Sequence, residues 1–181
     1  VLDPLHVSAL ALACGDSKAV LLSLDSCGLD AETDLYFRTA ISEGTGLPLD
    51  AIFLTCTHSH TAPFADCETE NPLIAEYTQM LKHRFADAVK YALADLKPAR
   101  MGWGIGNAPN IAFVRRFRMK DGSVRTNPGV NNPDILHPIG DIDERVTVLR
   151  FDREGADTLV LANFGNHPDV VGGCKVSADW P

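Results

Sequence analysis

No apolar run in the 181-residue chain approaches the roughly 20 residues that a membrane-spanning helix needs, so no transmembrane segment is expected. Positive charge is also scarce. The 16 Lys and Arg stand against 24 Asp and Glu, a formal net charge of −8. Such a surface repels phosphate backbones, and no nucleic-acid partner is expected. Cysteine is sparse and has no pairing pattern. Cys14, Cys27, Cys56, Cys67 and Cys174 are odd in number and contain no CxxC spacing. That argues against a disulfide framework or a zinc knuckle and leans towards a reducing, cytoplasmic compartment. Cys14 and Cys56 lie in apolar, strand-like runs and read as packed small hydrophobes. The Lys-Ser/Thr pair of a P-loop is missing too. The Gly-rich "GWGIG" opens no helix, so it reads as strand and not as phosphate cradle. A starting methionine is absent. Val1 at one end and "KVSADWP" at the other lead to the expectation of a fragment of a longer chain, which leaves secretion and oligomeric state open.

What is present suits an α/β domain. Hydrophobic residues make up 45% of the chain, enough for a sizeable core without staples. "VSALALACG" and "KAVLLSLDSCG", separated by Gly-Asp turn chemistry, predict a β-hairpin. "DAETDLYFRTAISEGTG" predicts a helix capped by Asp30 and ended by Gly46. "LPLDAIFLTCT" is apolar on both faces and predicts a buried central strand. Apolar residues at three- and four-residue steps predict a long helix over 72–96, with Asn71 as cap and Pro72 in the first turn. Strands follow in "ARMGWGIGNAP", "IAFVRRFRM" and around "DREGAD", with a tight turn at "MKDGSV". The Pro-rich stretch over 126–143 predicts a long loop. The expected fold class is α/β, a mixed sheet flanked by helices in a layered sandwich. Residues 1–181 are expected to form one portion of a single domain whose C-terminal part is missing.

The chemistry concentrates at strand ends. In "FLTCTHSHTAPFAD", His58 and His60 stand two apart, where a strand places side chains on one face. Both imidazoles can then address one metal ion. Ser59, Thr61 and Ala62 are small and leave room for a ligand. "LVLANFGNHPDVVGG" repeats the pattern of strand, histidine, proline and loop at His167, and sites in open α/β sheets lie beyond the carboxyl ends of strands. A buried histidine bonded to backbone is the competing reading of His167. Asp25 and Asp179 add carboxylates near strand ends or turns, as ligands, as acceptors that orient an imidazole, or as plain turn and cap residues. Arg115 and Arg116 alternate with apolar residues. One of them can hold a polar or anionic substrate group, or both can form a solvated face.

These segments resemble the neutral/alkaline ceramidase family. "THSHTAP" resembles its "THTHSGP" signature, "NFGNHPDVVGG" with the later "SADWP" resembles its strand-to-His-Pro segment with "SADFPG", and "AFVRRFRMKDGSVRTNPG" is similar to the "AFNRRYRMKDGTVRTNPG" segment of shorter bacterial members. The resemblance covers nearly the whole chain. It implies a zinc-dependent hydrolase that cleaves a linear amide in a small-molecule or lipid-like N-acyl substrate, with one Zn2+ as cofactor. By the same resemblance His58 and His167 map to zinc ligands, His60 to an active-site group beside the metal, and Arg115 to a contact on the reacting group. The family's remaining ligands, a Glu and a Tyr, come from a later part of the chain. Thr61, Ala62 and Val114 depart from the family pattern, and Val114 replaces an Asn beside Arg115. Two alternatives stand beside this reading. One is another metallohydrolase, such as an esterase or an amidohydrolase barrel, which would want HxH on its first strand. The other is a non-catalytic scaffold or binding domain.

Overall fold

The computed structural model describes residues 1–167 and 169–179. Contacts divide the chain into two compact units: Val1–Leu96 with the described residues of the C-terminal segment, and Lys97–His167.

The first unit opens with β1 (Val7–Cys14) and β2 (Ser17–Leu24), an antiparallel hairpin. Its turn is Gly15-Asp16, and Gly15 at φ +56° supplies the left-handed conformation such a turn needs. Helix α1 (Ala31–Thr45) follows, and β3 (Ile52–Cys56) then lies parallel to β2. Helix α2 (Pro72–Ala94) completes the unit's regular structure. The caps are those the sequence predicts. Asp30 accepts from the Thr33 N–H at 2.7 Å, Asn71 accepts from the Leu73 N–H at 3.0 Å, and Gly46 at φ +77° returns its N–H to Ser42.

The core explains why the sheet faces the helices as it does. Val20, Leu22 and Leu24 alternate along β2 and turn one buried face inward. Phe37 and Ile41 from α1 meet them, as do Leu81, Phe85 and Val89 from α2, each set spaced by four residues. The Phe37 and Phe85 rings lie 4.8 Å apart, tilted by 50°, an edge-inclined packing that aromatic quadrupoles favour.

In the second unit the order is β4 (Ala99–Asn107), β5 (Arg116–Met119), β6 (Val124–Thr126), β7 (Ile135–Pro138), β8 (Arg145–Arg153) and β9 (Leu159–Phe164). One antiparallel sheet runs β4-β8-β9 and another β6-β5-β7. The tight turn falls at Lys120–Ser123, where Gly122 has φ +82° and Asp121 accepts from the Ser123 N–H at 2.9 Å.

The α/β content is as expected: two helices and nine strands among the described residues, with no barrel. The strands form three small sheets, not one, and only β1-β2-β3 is mixed. Four local expectations change. Within its sheet β3 is an edge and not the central strand, and Phe53 is 54% exposed. Cys14 ends β1 and is exposed, because the hairpin turn carries it away from the core. Residues 111–115 are irregular, so the strand expected there begins only at Arg116. The stretch over 126–143 contains β7, whose four residues find a partner in β5 through a non-local pairing that no local pattern announces. No helix among the described residues is long and apolar enough to cross a membrane.

Candidate metal centre

The parallel pairing of β2 with β3 builds the site. Leu24 lies opposite Cys56, so both strands end at the same edge of the sheet. The ladder continues briefly beyond them: the Thr57 N–H donates to Leu24 O at 3.0 Å and the His58 N–H to Ser26 O at 2.9 Å. The segment after β2 therefore runs beside the segment after β3, and residues 31 apart in sequence become neighbours.

His58 sits in the left-handed region at φ +68°. That conformation costs an L-residue about 1–2 kcal/mol and persists where surrounding bonds over-determine it. The strand has already ended at Cys56. The two imidazoles thus meet because the chain turns, not through the pleat that the sequence alone suggests. Their Nε2 atoms lie 3.3 Å apart and their rings are perpendicular, with centroids 4.9 Å apart. His58 Nδ1–H donates to the Cys27 carbonyl at 2.6 Å. That bond fixes the tautomer, placing the lone pair on Nε2, the atom that faces His60.

The loop carrying the pair is pinned from below. Ser59 is fully buried and its hydroxyl donates to Ser177 O at 2.8 Å. The Thr61 hydroxyl donates to the same oxygen at 3.0 Å. Ser177 in turn donates its hydroxyl to Asp3 at 2.6 Å, and Asp3 also accepts from the Ala178 N–H at 2.7 Å. These two bonds hold the Asp3 carboxyl below its ordinary range, the Ser177 hydroxyl contributing most. Further along the loop, the Cys67 N–H donates to the Thr33 hydroxyl and the Asp66 N–H to the Thr78 hydroxyl. Ser59 and Thr61 are therefore anchors of the histidine loop, where the sequence had suggested spare room for a ligand.

The other expected site residues are placed as follows. Asp25 follows β2 and accepts from the His6 N–H at 2.9 Å, with His6 Nδ1 at 3.6 Å. The acceptor that orients His58 is the Cys27 carbonyl. Asp179, at φ +71°, accepts from the N–H groups of Val170 and Val171 and so braces the C-terminal segment. Arg115 and His167 belong to the second unit. Arg115 is half-buried just before β5, and its carbonyl accepts from the Asn127 N–H at 2.9 Å. His167 is half-buried three residues after β9. Pro168, Trp180 and Pro181, which belong to the motif segments, lie outside the described residues.

Cys27 is the residue that sequence reading overlooked. One donor atom each from Cys27, His58 and His60 can be chosen so that all three lie within 4.8 Å of one another. A signal for it existed. β2 and β3, joined through α1, lie parallel, so "DSCG" and "THSH" emerge at one edge.

The donor chemistry suits zinc. Neutral imidazole nitrogen is a zinc donor, and His58, its Nδ1 engaged by the Cys27 carbonyl, turns Nε2 outward to 3.3 Å from His60 Nε2. Both rings are exposed, as an accessible centre requires.

No protein-family model matches the chain, and no curated protein matches it. Solved structures do. A ceramidase complexed with C2 is 18% identical, with 94% of this chain aligned, 27% of that one and a TM-score of 0.67. A neutral ceramidase from Pseudomonas aeruginosa is 17% identical, with 91% of this chain aligned, 26% of that one and a TM-score of 0.63. The chain thus spans about a quarter of the length of the structures it matches. Over nearly all of its own length it has the fold found in these ceramidase structures.

Proposed function

We propose that this chain carries part of the active centre of a zinc-dependent, ceramidase-like hydrolase that cleaves the amide of a small-molecule or lipid-like N-acyl substrate. The observation that supports this most is the exposed His58 imidazole, whose Nδ1–H is locked on a backbone carbonyl so that Nε2 carries the lone pair, with the exposed His60 ring beside it at 3.3 Å. Structural zinc sites close all four positions with protein ligands, whereas catalytic ones keep a position open to substrate and water. An exposed pair suits the second kind.

In this reading His58 would hold the zinc through Nε2, and the resemblance of the "NFGNHPDVVGG" segment to the ceramidase motif adds His167 as a second ligand. Zinc in such a place polarises a carbonyl and lowers the pKa of a water towards about 7. His60 hydrogen-bonds the attacking water or carries a proton to the leaving amine. Arg115 donates to the oxygen that gains charge as the carbonyl is attacked, a role whose loss typically costs about 10²–10³ in rate. The Cys27 carbonyl keeps His58 Nε2 free of its proton, and Ser59 and Thr61 keep the ring pair in place.

The test is hydrolysis of short and long N-acyl amides by the full-length protein, with and without a chelator. Turnover that the chelator abolishes and zinc restores is the expected result. Metal bound without turnover on any N-acyl amide would point to a non-catalytic scaffold. Turnover untouched by the chelator would remove zinc from the proposal.

A further inference from the structure

In the first unit, α2 and the start of β1 flank a cavity of about 600 Å³. We infer that this cavity is a binding site for a long-chain aliphatic carboxylate, with the chain along α2 and the carboxylate on Arg84. The inference stands on the cavity itself and holds whether or not His58 binds a metal. The cavity lies at β1, the edge of its sheet opposite β3, and β3 leads to the histidines. Leu24 and Leu81, both buried, line it together with Val7 and Ala88. Tyr77 and Tyr91 line it too, and between them the helix advances roughly 20 Å. A volume of about 600 Å³ over that length leaves a mean section of roughly 30 Å². A β-strand with its side chains needs roughly 50 Å², from about 4.8 Å between strands and about 10 Å between sheets. An α-helix, about 10–12 Å across, needs more. The space is thus too narrow for a peptide and suits an unbranched chain.

The polar groups select the head. His6, Arg84 and Asp87 stand exposed on the rim. His6 already faces the Asp25 carboxylate, with Nδ1 3.6 Å away. Arg84 has no carboxylate within ion-pair distance among the described residues. A guanidinium presents a planar fork of N–H donors that matches a carboxylate in two parallel bonds. Asp87, about one turn further along α2, disfavours a head with more than one negative charge, such as a phosphate. Hydrolysis of an N-acyl amide releases a carboxylate of this class.

The probes are octanoate, decanoate and dodecanoate, titrated below their micelle concentrations into the full-length protein by calorimetry. The expected result is one ligand per chain, with an affinity that rises about fourfold for each methylene removed from water. A chelator should leave that affinity unchanged. Ala88→Trp, which fills the cavity, should lower dodecanoate affinity about tenfold or more. Arg84→Gln should lower it about three- to tenfold and leave dodecanol binding as it was. No saturable binding, as when another segment of the protein fills the space, would overturn the inference, and so would an affinity flat with chain length. Dodecanoate binding that the chelator removes would place the carboxylate on a metal and equally overturn it. Dodecylamine binding more tightly than dodecanoate would assign the head to Asp87 and overturn the carboxylate. Arg84 is exposed, so its variant decides the matter even if Ala88→Trp folds poorly.

Discussion

The anchor beneath the histidine loop allows a sharp test. Ser59 and Thr61 both donate to Ser177 O, at 2.8 and 3.0 Å, and their hydroxyls are 3.5 Å apart. Ser59→Ala removes one donor, yet the carbonyl keeps the other. The cost should be that of one net hydrogen bond, about 1 kcal/mol. Thr61→Val is nearly isosteric and should cost about the same or less. The double variant differs in kind. Ser177 is only 2% exposed, so its carbonyl would then be buried with neither hydroxyl, and an orphaned buried acceptor costs a further 1–3 kcal/mol or so. A double-mutant cycle should thus show at least about 1 kcal/mol beyond additivity. The assay is denaturant unfolding of the four proteins, read as shifts in midpoint at constant m-value. Metal affinity provides a second readout, since groups that orient ligands typically contribute 10–100-fold. Strict additivity, or an unchanged metal affinity in the double variant, would refute the idea that this shared carbonyl sets the position of the two imidazoles.

Other outcomes follow from the same structure. Phe85, fully buried against Phe37, should cost about 3–5 kcal/mol when changed to Ala, measurable by denaturant unfolding. Burial, and then the nearby Asp34, push the Cys56 thiol up to about 11. Iodoacetamide at pH 8 should therefore modify the exposed Cys14, Cys67 and Cys174 well before Cys56, as read by mass spectrometry, and equal rates would contradict the burial. The Arg145 guanidinium holds Asp143 down to about 2 from an ordinary value of 3.8. The folded state thus favours the carboxylate, so its stabilising contribution is complete above pH 3.8 and is lost as pH falls towards about 2. An NMR titration of the Asp143 carboxyl should place its midpoint near 2, and Arg145→Gln should return it towards 3.8.

Local physics made part of this legible from sequence. Asp30, Asn71 and Gly46 announce helix ends because a cap is a bond within a few residues, and the structure contains each of those bonds. The β1–β2 hairpin was readable for the same reason, since Gly-Asp supplies its turn. The His-Ser-His spacing directed attention to the loop where the two rings meet. It suggested the wrong cause, because alternation in a strand and a left-handed turn at His58 both bring i and i+2 rings together. What stayed hidden depends on distant pairing. Cys27 reaches His58 only through the parallel register of β2 and β3. Ser59 is held by Ser177, 118 residues away, and β7 exists only because β5 pairs with it. The division of the strands into three sheets is likewise a matter of partners and not of pattern.

The account stands on His58 Nε2 as a metal ligand, and elemental analysis of the full-length protein measures that directly. Purified wild-type protein should hold one equivalent of zinc per chain, and His58→Ala, folded by circular dichroism, should hold essentially none. Metal-free wild type after zinc reconstitution, or unchanged stoichiometry in His58→Ala, would contradict it.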